Sequence, residues 1–279
     1  MIVFIFAGLL SALSFAHSPA SIPSTKVVVE KINDDDPILN SIDLDQELVV
    51  KDWLKNGHSS FTVIKNKMNE SLLDRAASFG SEKVFELLLT EMESAGSSFQ
   101  KIYADERGTP ILLSLVSLAT PDQPNSKKYE RMIEFFLKKH ADQINAQDKA
   151  YIGDGRTALH QVAINGNLVV LKALLSHGAQ INSVNSINET PLHFAARFGK
   201  LEVLKILISG GARLDEKSKH TKATPLLAAA ERGHELIIRE LLDAGAKKNE
   251  RDAFGKTAPE RYKEYVAGYY QKNSLPTNQ

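Results

Sequence analysis

No cysteine occurs among the 279 residues. Disulfides, thiolate nucleophiles, zinc–thiolate sites and lipid anchoring at a cysteine are excluded together. Net charge is missing as well, with 34 Lys and Arg against 34 Asp and Glu. A general binder of nucleic acid or of an anionic membrane carries a basic excess, so neither partner fits. The balance shifts along the chain: the part before about residue 150 is mildly acidic, with Asp34-Asp35-Asp36 near its start, and the part after it is mildly basic. Phosphate-cradling glycine loops are absent. His234-Glu235 opens like a metalloprotease HExxH, but Ile238 stands where the second histidine belongs. Gly153-Asp154-Gly155 lacks the alternating oxygens of a calcium loop and reads as a turn. No catalytic set, cofactor or metal is therefore expected.

Long apolar runs are scarce, and the exception is Ile2 to Ala16. That run is short for a bilayer span, which takes about 20 residues. It closes on Ser14-Phe15-Ala16, small at the positions a signal peptidase reads, and polar, proline-punctuated sequence follows from His17 to Thr25. Residues 1–16 read as a secretory signal that is cleaved, although no Lys or Arg precedes the run. A retained anchor or a buried first helix is the alternative. The expected location is secreted or periplasmic, with no membrane contact after cleavage.

What the sequence has in abundance is self-similarity. Three segments align: GRTALHQVAINGNLVVLKALLSHGAQIN from Gly155, NETPLHFAARFGKLEVLKILISGGARLD from Asn188, and KATPLLAAAERGHELIIRELLDAGAKKN from Lys222. Thr157, Thr190 and Thr224 recur at a nearly constant interval, and Thr257 opens a fourth copy. The interval is about 33 residues, within the range of periods that marks repeat architectures. In each unit the threonine caps a helix start, and Pro or Ala follows at the first helical position. A short helix runs to Gly166, Gly199 or Gly233. A second helix carries apolar residues at helical spacing and closes at Gly178, Gly211 or Gly245. One such pair cannot bury its apolar face alone, so the plan makes sense as a stacked array.

Thr190-Pro191-Leu192-His193, Ala195-Ala196, Gly199, Val203, Leu207, Gly211-Ala212 and Asp215 closely resemble the ankyrin-repeat family. The resemblance implies an all-α solenoid of stacked helix pairs with short β-hairpin fingers. It is strong from about residue 153 and thinner upstream. There, Ser71 to Gly80 with Val84 to Leu89 fits one unit. Gly108-Thr109-Pro110-Ile111-Leu112-Leu113 opens another, with Tyr129 to Lys139 as its second helix, and Leu44 to Gly57 resembles the outer helix of a terminal unit with Trp53 as a packing residue. The expected organisation is signal 1–16, linker 17–36, capping or degenerate repeat 37–65, repeats 66–252, C-terminal capping repeat 253–272 and a tail over 273–279. Two departures from the family pattern are an insertion at 119–126 and a long finger from Asn145 to Thr157 that carries Tyr151.

The resemblance also bears on candidate sites. His160 and His193 recur one unit apart like a metal pair, but the corresponding histidine of ankyrin units bonds to its own turn, which makes a structural role the expectation. Asn69-Glu70-Ser71 and Asn188-Glu189-Thr190 are glycosylation sequons, expected to be chance. Partners of the family contact finger tips and the exposed side of the inner helices. By register, the candidates are Arg156, Gln161, Ile164, Asn165, Glu189, Phe194, Arg197, Phe198, Lys222, Glu231 and Arg232. The expected function is a monomeric, exported protein-binding module. The alternatives are an inhibitor or immunity-type protein that plugs an enzyme, the regulatory part of an enzyme, or a membrane-tethered scaffold.

Overall fold

The computed structural model describes residues 28–31, 36–56, 62–65, 71–94, 110–149 and 154–273. The apolar run at 1–16, Tyr151, the sequon at Asn69 and residues 274–279 lie outside them. Thirteen α-helices are seen among the described residues: α1 (Pro37–Asp43), α2 (Glu47–Lys55), α3 (Leu72–Phe79), α4 (Glu82–Ser94), α5 (Ile111–Leu118), α6 (Ser126–Lys139), α7 (Ala158–Asn165), α8 (Leu168–Ser176), α9 (Pro191–Arg197), α10 (Leu201–Ser209), α11 (Pro225–Glu231), α12 (Glu235–Asp243) and α13 (Ala258–Asn273). Odd-numbered helices form an inner row in which each packs on the next, and α2 to α12 form an outer row in the same way. None of these helices is long and apolar enough to cross a membrane.

Local chemistry sets the boundaries. Thr157, Thr190 and Thr224 are extended at the N-caps of α7, α9 and α11, and proline fills the first turn of α9 and α11. Ser71 and Asp74 close a reciprocal capping box on α3. The inner helices α7, α9 and α11 are short and carry alanine, which lets them approach closely: Ala195, Ala196, Ala228, Ala229 and Ala230 are all buried. The outer helices bury one stripe, as with Val203, Leu204 and Leu207 on α10. Burial of one such leucine stabilises by about 1.5–3 kcal/mol. Together these side chains form a single core running the length of the stack, and Trp53 packs against it.

Glycines at the inner-to-outer turns serve the stack as well as the turn. Gly199 has φ +67°, and a Cβ there would lie 2.8 Å from the ring of His234, which comes from the next unit and bonds through Nε2 to the Arg197 carbonyl at 3.0 Å. This is the role of the histidine that opened the incomplete HExxH pattern.

The expected β-hairpin fingers need correction. Among the described residues the later fingers hold no strand. Pairs of backbone bonds close them: Asn185 N–H to the Glu189 carbonyl with Asn188 N–H to the Asn185 carbonyl, and Ser218 N–H to the Ala223 carbonyl with Lys222 N–H to the Ser218 carbonyl, at 3.0 and 3.1 Å in each finger. Neighbouring fingers are also tied, Lys219 N–H donating to the Ile187 carbonyl at 2.7 Å. Strands occur at the other end, where β1 (Val28–Lys31) and β2 (Thr62–Lys65) pair in parallel with Val28 opposite Thr62. The step from Val28 to Thr62 equals the step from Thr190 to Thr224, so this ladder also joins one finger to the next.

Candidate functional site

The inner helices present two edges. Fingers enter at their N-terminal ends, and the turns to the outer helices leave at their C-terminal ends. A seven-residue helix separates the edges by about 10 Å. Between them little is exposed: Pro191 to Ala196 on α9 and Pro225 to Ala230 on α11 are buried throughout.

His160 and His193 lie beneath this surface, fully buried. Each Nδ1 accepts the backbone N–H of its capping threonine at 3.1 Å and lies 2.9 Å from the threonine hydroxyl. Nδ1 is therefore the unprotonated nitrogen, and Nε2–H donates to a carbonyl of the next unit: Glu189 at 3.0 Å for His160, Ala223 at 3.1 Å for His193. Both nitrogens are engaged, so neither ring is free to bind a metal. Burial pushes both imidazoles down to about 4. Among the described residues no group of three or more His, Asp or Glu side chains is placed to hold a metal ion.

At the finger edge the candidate residues are already paired. Arg156 donates from Nε to Asp154 at 2.7 Å and from Nη1 to Gln161 at 3.4 Å. Arg197 reaches back along α9 to grip both carboxylate oxygens of Glu189, whose side chain is only 4% exposed. The hydrogen bond that Arg197 donates to Glu189 is the main reason its guanidinium is held above its ordinary value. The guanidinium carbon sits 5.5 Å from the Phe194 ring centroid, and Phe194 meets the His160 ring edge-on at 5.5 Å. Phe194 and Glu189 are buried. They support the face from below and expose little surface of their own. Lys222 is exposed at this edge with φ +54°, the left-handed position that Asn188 fills one unit earlier.

The turn edge differs. Ile164 is half-buried against the core. Asn165 donates Nδ2–H to the Val116 carbonyl at 2.7 Å and accepts the Asn167 N–H at 3.0 Å. Its amide is thereby occupied in joining two units. Phe198 is exposed. Glu231 is exposed with its carboxylate 3.8 Å from Arg261. Arg232 is exposed and has no ion-pair partner among the described residues. The eleven residues thus fall on two edges, with Phe194 beneath them: Arg156, Gln161, Glu189, Arg197 and Lys222 toward the fingers, Ile164, Asn165, Phe198, Glu231 and Arg232 toward the turns.

Three groups escape a reading by register alone. Arg261 bonds to buried Asp252 through two nitrogens and lies 5.1 Å from the exposed Phe254 ring. Leu44 and Leu118, both exposed, occupy the Phe198 position in earlier units. An alignment from Asp36-Pro37 brings Leu44 out, but one from Thr109-Pro110 would put Ser117 at the position; Leu118 takes it because the helix is capped one residue later, at Pro110.

A family model described as ankyrin repeats, in three copies, matches residues 125–218, and a single ankyrin-repeat model matches residues 221–253. Comparison with curated proteins finds none that matches. The stacked helix pairs, the capped threonines with their buried histidines and the two matches agree: residues 125–253 of this chain are ankyrin repeats.

Proposed function

We propose that this chain is an exported module that binds a protein partner on the finger and inner-helix face of residues 155–252 and performs no chemistry itself. Ankyrin repeats support a protein-interaction role. The observation that carries the rest is where exposure begins. Side chains that recur between units are buried, whereas the non-recurring pairs at the ends of α9 and α11 emerge, leaving Phe198 and Arg232 in solvent. Aromatic and arginine side chains are the types in which binding energy concentrates. Export is inferred from the apolar run at Ile2 to Ala16.

The test uses the partner captured from the exported fraction. In calorimetric titration, Phe198→Ala and Arg232→Ala should each weaken binding by about 1–3 kcal/mol. Lys172→Ala and Lys205→Ala, on the outer helices, should leave affinity unchanged. The reverse pattern would put the partner on the other side of the molecule. Replacing Leu9 and Leu10 with arginine should retain the chain inside the cell, since each charge costs about 2.5–3.5 kcal/mol on insertion scales. Export that survives the double substitution would remove the signal reading.

A further inference from the structure

The residue that ends each inner helix, just before the turn, occupies one register position through the stack. The marker of that register is the next residue, which is left-handed at Asp45, Gly80, Gly166, Gly199 and Gly233, with φ from +56° to +86°. The position holds Leu44, Phe79, Leu118, Asn165, Phe198 and Arg232 in order. Four of the six are large and apolar, and each is exposed: Leu44 by 68%, Phe79 by 50%, Leu118 by 36% and Phe198 by 46%. A fold position that needed these side chains for its core would bury them.

The row is built rather than incidental. The Arg75 guanidinium lies 5.0 Å from the centroid of the Phe79 ring and is itself fixed to Asp43 by bonds of 2.7 and 2.6 Å. The insertion at 119–126 also rises from this edge, immediately after Leu118, with Pro121 to Asn125 exposed. Charge is graded along the row. At the N-terminal end Asp43 is held by Arg75, and Asp45 accepts the Val84 N–H at 3.0 Å. At the C-terminal end Lys200 and Arg232 have no ion-pair partner among the described residues, while Glu231 leans toward Arg261. Asp122 in the insertion is a further exposed acid of the edge.

We propose that this edge is a docking track for one amphipathic helix of an acidic partner, running across the units from Leu44 to Arg232. Packed helices lie about 10 Å apart, and a helix advances about 10.5 Å in seven residues. A partner helix with a seven-residue repeat therefore keeps one face on the row, with apolar side chains against Leu44, Phe79, Leu118 and Phe198 and carboxylates opposite Lys200 and Arg232. An extended strand cannot match, because its side chains alternate faces every residue and three-residue steps would point alternate anchors away. This inference rests on the partner-binding reading above and extends it to units before residue 155.

Photo-crosslinking of the full chain in its producing cell tests it, with a benzoylphenylalanine placed in turn at 79, 198 and 161. Phe79 and Phe198 stand three units apart, about 30 Å by helix packing, which corresponds to about 20 residues of helix. The expected result is that positions 79 and 198 capture the same partner chain at sites separated by that helical length, in a segment bearing carboxylates, and that Phe79→Ser lowers affinity for that partner at least tenfold with an unchanged unfolding midpoint. Capture sites separated by only about 10 residues, the length that spans the same distance in polyproline, would overturn the helix. Capture of a second copy, or of this chain's own residues, would overturn the foreign partner. Capture from 161 with none from 79 or 198 would remove the track and the Phe198 anchor while leaving a partner on the finger and inner-helix face, whereas silence at all three positions removes both readings.

Discussion

At His160 and His193 one proton decides whether a joint between units can close. A second proton would set an N–H at Nδ1 against the N–H of the capping threonine, 3.1 Å away in both cases. The groups around His160 are Asp154, Arg156, His193 and the Glu189 carbonyl; around His193 they are Glu189, Arg197, the Ala223 carbonyl and the Glu216 backbone. Among the described residues no side-chain acid bonds directly to either ring. The folded pKa of about 4 lies below the ordinary 6.5, so the unfolded chain takes up the proton first. Stability is fully present above about pH 6.5 and drains away as pH falls toward 4. At about 1.4 kcal/mol for each pH unit, each histidine accounts for roughly 3 kcal/mol across that window. His140, also pushed down by burial, adds in the same direction. Denaturation midpoints from pH 7 to 4.5 should fall for the natural chain. The double variant His160→Gln, His193→Gln should start lower at pH 7 and fall less. Parallel curves would clear these two residues of the effect. At this scale the sequence showed residue types and not their pairing. The grip of Arg197 on Glu189 needs the finger to fold back over α9. Arg197→Ala, harmless by register alone, would strand a buried carboxylate at a cost of about 3–5 kcal/mol. Asn188 is a like case: its Nδ2 is occupied by Glu216 at 2.9 Å and the Lys217 carbonyl at 2.8 Å, so the sequon amide is a structural bond.

Among elements, the insertion after α5 shows what a gap in the repeat pattern becomes when folded. Asn167, buried at the N-cap of α8, accepts the N–H groups of Val169 and Val170 at 3.0 and 3.1 Å. The same side chain donates Nδ2–H to the Ala119 carbonyl and to Glu130, both at 2.9 Å. One amide thus caps a helix and ties down the base of the insertion. Asn167→Ser keeps an acceptor for the cap and loses the tether. It should cost about 1–3 kcal/mol through the unsatisfied carbonyl and raise amide exchange at Gln123 and Ser126, whose N–H groups close the insertion's turns at 3.1 and 3.0 Å. Unchanged exchange there would mean that the cap alone matters. Helices were legible from sequence because their signals are local: a threonine cap, a proline or alanine, a leucine every third or fourth residue. The stretch read as a linker, 17–36, holds β1 at Val28–Lys31. Its partner β2 lies one full repeat further along the chain, and no local window contains both strands. The turn-edge row was half legible. Phe79 and Phe198 announce themselves before glycine, but Leu44 precedes Asp45 and Leu118 precedes Ala119, so the punctuation that marks the position is missing there.

Across the whole molecule, the principal helix contacts run from each unit to the next. Inner helix meets inner helix, outer meets outer, and side chains close the joints: Tyr129 over Gly80, Lys200 over Gly166, His234 over Gly199, Tyr265 over Gly233. Stability in such a stack is a sum of unit terms and nearest-neighbour terms, so damage at one place spreads with a limited reach. Leu207 is fully buried on α10, between the outer helices α8 and α12. Leu207→Ala should cost about 2–5 kcal/mol. Glu202 on the same helix is exposed, and Glu202→Ala should stay within about 0.5 kcal/mol. The spatial pattern tests the architecture more sharply than the size of the loss. Native-state amide exchange in the Leu207 variant should rise most in α9 to α12, less in α7, α8 and α13, and not at all in α3 and α4. A rise of equal size in every helix would mean that the stack opens as one cooperative block, in which case coupling between units outweighs the units' own stability and the linear description fails.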